Sequence, residues 1–260
     1  MPTVTIGEQD IFYFEYRVSD SPYPPLLLIH GAGGQHMHWP PQVRRLARAH
    51  TIAPDLPGHG RSPGPGRTSI AAYAADLLAL MDALGVEQFI PVGHSMGGAI
   101  ALQIALAAPE RVAGIALITT GAHLPVSDAL LGNALTNFPA LVDFVQMYAW
   151  GPHADEKLQR TGRRQLESCP AEVVHGDYLA CNNFDARERL AEITCPALVV
   201  GATHDRMTPP RLSQFLADNL PGATFYLVEE AGHYLPSEHP HEVAEILSGW
   251  LDEQFLPGRT

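Results

Sequence analysis

Three short runs of uninterrupted apolar residues limit the folds open to this chain: residues 25–30 (PLLLIH), 114–119 (GIALIT) and 197–201 (ALVVG). A strand with one wet face alternates apolar and polar side chains, so a run without alternation reads as a strand covered on both faces. Weaker strands are expected at 51–56, 89–92 and 224–229. Helical spacing of apolar residues marks 70–84, with Ser69 as its cap and Gly85 as its stop, and further helices fall at 99–108, 210–220 and 241–255. Strand and helix thus alternate through 25–125 and again through 196–256, which implies a parallel sheet with helices on both faces. The first 18 residues read as two more strands, Thr3–Ile6 and 11–18, joined by a turn at 7–10. Residues 126–193 break the rhythm. They are helical, punctuated by Gly and Pro, and aromatic (Phe138, Phe144, Tyr148, Trp150, Tyr178, Phe184). The organisation expected is an α/β core of residues 1–125 and 194–260 carrying a small helical cap at 126–193.

Composition excludes several functions. With 46% hydrophobic and 17% charged residues the chain of 260 can bury a large core and is not disordered. Its formal net charge is −12, and beyond Arg44-Arg45 and Arg163-Arg164 it has no basic cluster to displace counterions from nucleic acid or to meet an anionic membrane. The N-terminus has neither the basic start nor the apolar core of a signal peptide, and no run reaches the roughly 18 apolar residues of a membrane span. Cys169, Cys181 and Cys195 match no disulfide or zinc spacing and read as reduced packing thiols. A cytoplasmic protein, monomeric or homodimeric, is expected.

Gly93-His94-Ser95-Met96-Gly97 fits G-x-S-x-G, with an apolar strand before it and a helix after it. Such a turn lifts Ser95 above the sheet edge, at a helix N-terminus whose free N–H groups favour developing negative charge. A serine hydroxyl needs a base. Of the 13 histidines, His94 diverges from its neighbour, whereas His233 follows the last strand and can reach Ser95 from the same sheet edge. Asp205 ends the strand before it and is expected to bond a ring nitrogen of His233, in the chain order serine, acid, histidine. Asp177 and Asp185, in the insertion, are poorer candidates for the acid. Oxyanion donors are expected from the Met96 N–H and from the turn His30-Gly31-Ala32-Gly33-Gly34, with the Ala32 N–H preferred and Gly33 as the fallback. This turn does not fit G-x-G-x-x-G, and no G-K-[ST] follows, so a dinucleotide or phosphate loop is disfavoured.

With these pieces in order, HGAGG (30–34), DLPGHGRS (55–62), GHSMGG (93–98), the Asp205 turn and AGHYLPSEHP around His233, the chain resembles the α/β-hydrolase fold superfamily along nearly its whole length. The resemblance implies a mostly parallel eight-stranded sheet, a catalytic triad of Ser95, His233 and Asp205, and a structural role for Asp55, Arg61 and Ser62. Members acting as dehalogenases or epoxide hydrolases carry Asp at the elbow, so Ser95 points instead to esters, thioesters, lactones or amides through an acyl-enzyme. Carbon–carbon bond hydrolases of ring-cleavage products and cofactor-free perhydrolases resembling haloperoxidases share the serine. The former often carry HG-x-G-P-G and a Trp soon after the histidine, where this chain has HGAGGQ and Tyr234-Leu235. A non-catalytic ligand-binding member of the fold is a further alternative.

The substrate expected is a small molecule with an apolar acyl or aromatic group. Its contacts are sought at Gly33, Trp39, Met147, Trp150, Met207 and Tyr234. No metal or organic cofactor is expected, since His36 and His38 lack a third ligand nearby and HPHE at 239–242 reads as the start of the last helix.

Overall fold

The computed structural model describes residues 2–256. Eight strands, β1 (Thr3–Ile6), β2 (Gln9–Tyr16), β3 (Leu26–Ile29), β4 (Thr51–Pro54), β5 (Ile90–His94), β6 (Ile115–Ile118), β7 (Ala197–Ala202) and β8 (Thr224–Val228), form one sheet. Its order is β1-β2-β4-β3-β5-β6-β7-β8. The β1/β2 and β2/β4 pairs are antiparallel and the other pairs are parallel. The uninterrupted runs serve both faces at once. In β3, Leu27 and Ile29 join one core cluster while Leu26 and Leu28 join the other, and all four are fully buried. The same division holds in β6, where Ile115 and Leu117 face one way and Ala116 and Ile118 the other.

Helices α1 (Pro41–Arg44), α2 (Ile70–Ala83), α3 (Met96–Ala107), α4 (Asp128–Thr136), α5 (Phe138–Tyr148), α6 (Glu156–Glu167), α7 (Ala171–Asn182), α8 (Pro210–Asn219), α9 (Leu235–Glu238) and α10 (Pro240–Phe255) complete the chain. The Ser69 side chain caps α2 by accepting from the Ala72 N–H, and Gly85 closes it at φ +69°. Four helices, α4 to α7, lie between β6 and β7 and gather their own small apolar cluster around Leu141, Val142, Val145, Leu166 and Val174. Among the described residues no helix is long and apolar enough to cross a membrane.

Two expectations shift. Strand β2 begins at Gln9, because Gly7 at φ +60° closes a two-residue loop with Ile6 paired to Gln9. Helix α3 begins at Met96, three residues before the alanine-rich stretch that suggested it. The glycines at 97 and 98 lower local helix propensity but are required by packing: a Cβ at Gly97 would stand 2.1 Å from the Ile29 carbonyl oxygen.

Candidate active site

The carboxyl ends of β5, β7 and β8 bring three side chains together. Between β5 and α3 the backbone turns at Ser95 with φ +54°, a conformation rare for a residue with a Cβ. The turn is so tight that a Cβ at Gly93 would stand 2.1 Å from the Gly97 carbonyl oxygen. Ser95 Oγ lies 3.0 Å from His233 Nε2, and His233 Nδ1 lies 2.9 Å from Asp205 Oδ2. Asp205 and His233 are buried and Ser95 is partly exposed.

Each member of this chain is held from behind. Asp205 Oδ1 accepts the Met207 and Thr208 N–H groups, both at 2.8 Å, so the turn after β7 binds its own carboxylate. The Thr208 hydroxyl is 2.6 Å from Asp205 Oδ2, 2.8 Å from the Thr119 carbonyl and 3.2 Å from His233 Nδ1. The His233 carbonyl accepts from His94 Nε2 at 2.8 Å and from the Thr119 hydroxyl at 3.0 Å. Burial and the neighbouring His233 push His94 well below the ordinary histidine pKa, so it is a neutral donor to that carbonyl. The His233 N–H donates to the Ala149 carbonyl at 2.7 Å. Glu238 accepts from both Gly151 and Gly232, tying the end of α5 to the histidine loop.

The N–H groups of Ala32 and Met96 find no protein acceptor among the described residues. Met96 opens α3, so its N–H is one of the helix's free donors. Ala32 sits in a turn fixed on both sides. The Gly31 carbonyl accepts from His30 Nδ1 (2.8 Å) and the Gly34 N–H (3.1 Å), and the Gly33 N–H donates to Asp177 Oδ2 at 2.8 Å. Gly33 is therefore already engaged and offers no free donor.

A cavity of about 370 Å³ opens at Ser95, His233 and Ala32. Its walls are largely apolar, with Leu124, Leu130, Phe144, Tyr178, Met207 and Leu212 prominent among them. Arg206 and Arg211 also line it, and no acidic residue does. The Arg206 guanidinium is occupied by the Met147 carbonyl and the Tyr148 ring.

Of the substrate contacts sought from sequence, Met207 lines this cavity and the others do not. Trp39 is 1% exposed and packs in the sheet core beside Val43, because the short helical turn at His36–His38 folds it back under the sheet. Met147 is 63% exposed, one turn along α5 from the inward Phe144. Trp150 and Tyr234 pack against each other, tilted, at 4.6 Å between ring centroids, with Tyr234 against the His233 ring at 5.9 Å, and neither lines the cavity. Gly33 is buried at φ +63°, where a Cβ would meet Leu166 Cδ1 at 2.5 Å. His36 gives its N–H and Nδ1 to Asp55. Asp55 also accepts from the Arg61 N–H, and the Ser62 hydroxyl donates to its carbonyl, so DLPGHGRS braces the turn that follows β3. In sequence Phe144 and Tyr178 are two among several aromatics of residues 126–193, and Thr208 is not among the residues given a role. The Thr208 signal was its place three residues after Asp205, the spacing of a side chain that returns to a turn carboxylate. Among the described residues no group of three or more His, Cys, Asp or Glu could hold a metal ion.

The arrangement can move a proton from a hydroxyl to an imidazole, with the unengaged N–H groups of Ala32 and Met96 in the neighbouring turns. A family model described as Alpha/beta hydrolase family matches residues 26–246. A protein of Azorhizobium caulinodans that bears the name carbamate hydrolase RutD is 31% identical over 274 residues, covering 97% of this chain and 99% of that protein. The 2-hydroxymuconate semialdehyde hydrolase of Pseudomonas putida is 30% identical over 250 residues, covering 88% and 87%. The crystal structure of the enol-lactonase from Burkholderia xenovorans superposes with a TM-score of 0.89 at 25% identity, covering 96% and 99%.

Proposed function

The chain belongs to the alpha/beta hydrolase family, and on that footing we propose that it is a serine hydrolase opening a small carboxylic ester, thioester or lactone through an acyl-enzyme. One observation carries the reading: the continuous hydrogen-bonded chain from Ser95 Oγ through His233 to Asp205 at the wall of an apolar cavity.

In this reading Ser95 Oγ attacks the carbonyl carbon while His233 Nε2 takes its proton. Asp205 orients the ring and stabilises the imidazolium that forms. The carbonyl oxygen becomes an oxyanion and receives the Ala32 and Met96 N–H groups. Each such donor is typically worth about 3 kcal/mol of barrier. Collapse of the tetrahedral intermediate expels the alcohol, thiol or lactone oxygen, which leaves with the proton from His233. Water, deprotonated by His233, then attacks the acyl-enzyme and frees Ser95. This sequence calls on no metal or organic cofactor. Residues 126–193 act as a cap, with Phe144 and Tyr178 supplying the apolar wall for the acyl group.

A second reading is carbon–carbon bond hydrolysis, favoured by the likeness to the P. putida enzyme. Hydrolysis of a p-nitrophenyl ester series from acetate to dodecanoate, with Ser95→Ala beside the wild type, separates the two. Activity that requires Ser95 and selects one chain length supports the ester reading. Ester activity retained by Ser95→Ala sinks it. A folded wild type inert on every ester but active on a ring-cleavage dienoate moves the assignment to carbon–carbon hydrolysis.

A further inference from the structure

Bonded to the Ala32 turn through the Gly33 N–H is a buried histidine–carboxylate pair that acyl transfer does not use. Asp177 and His59 are both 0% exposed, with His59 Nε2 2.8 Å from Asp177 Oδ2. The other ring nitrogen, Nδ1, lies 3.0 Å from the Pro57 carbonyl, which can only accept. Asp177 is likewise surrounded by donors. The Gly33 N–H reaches Oδ2, and the Tyr73 hydroxyl reaches Oδ1 at 2.6 Å. That hydroxyl accepts from the Arg67 N–H, so its own proton goes to Asp177. With a carbonyl at one nitrogen and a fully engaged carboxylate at the other, His59 is an imidazolium paired with an aspartate.

The charged groups around it favour this state. Burial opposes the charge on His59 and is the largest single influence. The charge and hydrogen bond of Asp177, the Pro57 carbonyl and Asp55 together outweigh it and raise the pKa above the ordinary histidine value. His30, whose ring lies 5.0 Å away on the β3 side, stays neutral. Its Nδ1 donates to the Gly31 carbonyl and its Nε2 accepts the Leu56 N–H. His38, also on that side, is pushed down to about 4 by burial and the charge of His59. Tyr73 faces the pair from α2, and burial raises its pKa, so it stays a neutral hydroxyl.

The pair bears on one short piece of backbone. In a trans peptide the C=O and N–H point to opposite sides of one plane. His30 and the Gly34 N–H hold the Gly31 carbonyl, and this aims the Ala32 N–H away from them. Asp177 holds the next peptide through the Gly33 N–H. Asp177 itself cannot drift, because α7 lies hard against the 57–67 loop: a Cβ at Gly176 would stand 2.8 Å from the Arg67 carbonyl oxygen.

We propose that Asp177 and His59 are a positioning pair for the oxyanion turn, in which the histidine anchors the carboxylate and the carboxylate fixes the Ala32–Gly33 peptide so that the Ala32 N–H meets the substrate oxygen. The proposal rests on the acyl-transfer reading above. It makes the 126–193 segment, through α7, a structural partner of the catalytic turn as well as a wall of the cavity.

The test compares an ester with its thionoester, in which sulfur replaces the carbonyl oxygen. Both need the same nucleophile and base, but only the oxygen fits donors set for an oxyanion. Asp177→Asn and His59→Gln are each expected to lower the oxo-to-thiono ratio of kcat/KM about tenfold. A loss of folded protein would lower both rates together and leave the ratio alone. In the wild type the ratio is expected to fall as pH rises through the pKa of His59. If Asp177→Asn does not fold, Tyr73→Phe, which removes one hydrogen bond from Asp177 and keeps the ion pair, is expected to lower the ratio about threefold. Folded variants with the wild-type ratio would overturn the proposal. Ser95→Ala separates the two levels: ester turnover that survives it removes the acyl-transfer reading, whereas Ser95-dependent turnover with unaltered ratios removes only the positioning pair.

Discussion

Of the buried histidine–aspartate pairs, two bear comparison: Asp205–His233, whose histidine lines the cavity beside Ala32, and Asp177–His59, whose carboxylate holds the Gly33 N–H. In each, a carboxylate oxygen lies within 2.9 Å of a ring nitrogen, and backbone N–H groups engage the carboxylate. They differ at the other ring nitrogen. His233 presents Nε2 to the Ser95 hydroxyl, a group that can surrender a proton. His59 presents Nδ1 to the Pro57 carbonyl, which has none to give. The first ring therefore faces a proton it can accept, while the second has none to accept. An aspartate beside a histidine does not by itself define a catalytic site; the partner on the far side of the ring decides whether protons move.

The largest expected effects fall on the first pair. His233→Gln and Asp205→Asn should each lower kcat by about 10⁴ with the fold intact, measured on the best p-nitrophenyl ester beside circular dichroism. Substitution of the second pair should cost far less, about tenfold in kcat, with KM within about twofold, because only one oxyanion donor loses its alignment. Equal losses in the two pairs would erase the distinction drawn between them. Thr208→Val removes the hydroxyl shared by Asp205, His233 and the Thr119 carbonyl, and kcat should fall about three- to tenfold, since the two N–H bonds to Asp205 remain.

Stability should also separate the pairs. The pKa of His59 is raised in the folded protein above its unfolded value, so the folded state holds the extra proton between the two. The contribution of this pair is fully present below the unfolded pKa and is lost as pH rises through the folded one. Thermal unfolding followed across neutral to alkaline pH should show this decline in the wild type and a flatter profile in His59→Gln. The smallest effect is expected at Met147→Ala: with 63% of the residue exposed, activity should stay within about twofold and stability within about 0.5 kcal/mol.

The elements built from local pattern were legible along the chain. The apolar runs of β3, β6 and β7, the Ser69 cap of α2 and the Ser95 elbow all announce themselves within a few neighbouring residues. The contacts between Ser95, Asp205 and His233 were legible too, because strand ends in a parallel sheet share one edge and the order of strands places these three residues on it. The cavity wall was not. Helix α5 carries apolar residues on more than one face, so Phe144 and Met147, three residues apart, could not be told apart until the helix was docked. Trp39 follows the Ala32 turn closely in sequence yet lies in the core, because the chain reverses at His36–His38.

Asp177 marks the boundary most clearly. Its separations from Gly33 and His59 are 144 and 118 residues, and in sequence it is one acid among several in residues 126–193. Residue order alone determined the alternation of strand and helix, the turn chemistry and the Ser95 elbow with its two hydrogen-bonded partners, since each depends on periodicity or on backbone conformations that only certain residues tolerate. The tertiary structure alone decided which residues of 126–193 meet the cavity and which buried histidine faces a hydroxyl. Those outcomes depend on how helices dock across the sheet and on what atom ends up opposite each ring nitrogen, and no local pattern encodes either.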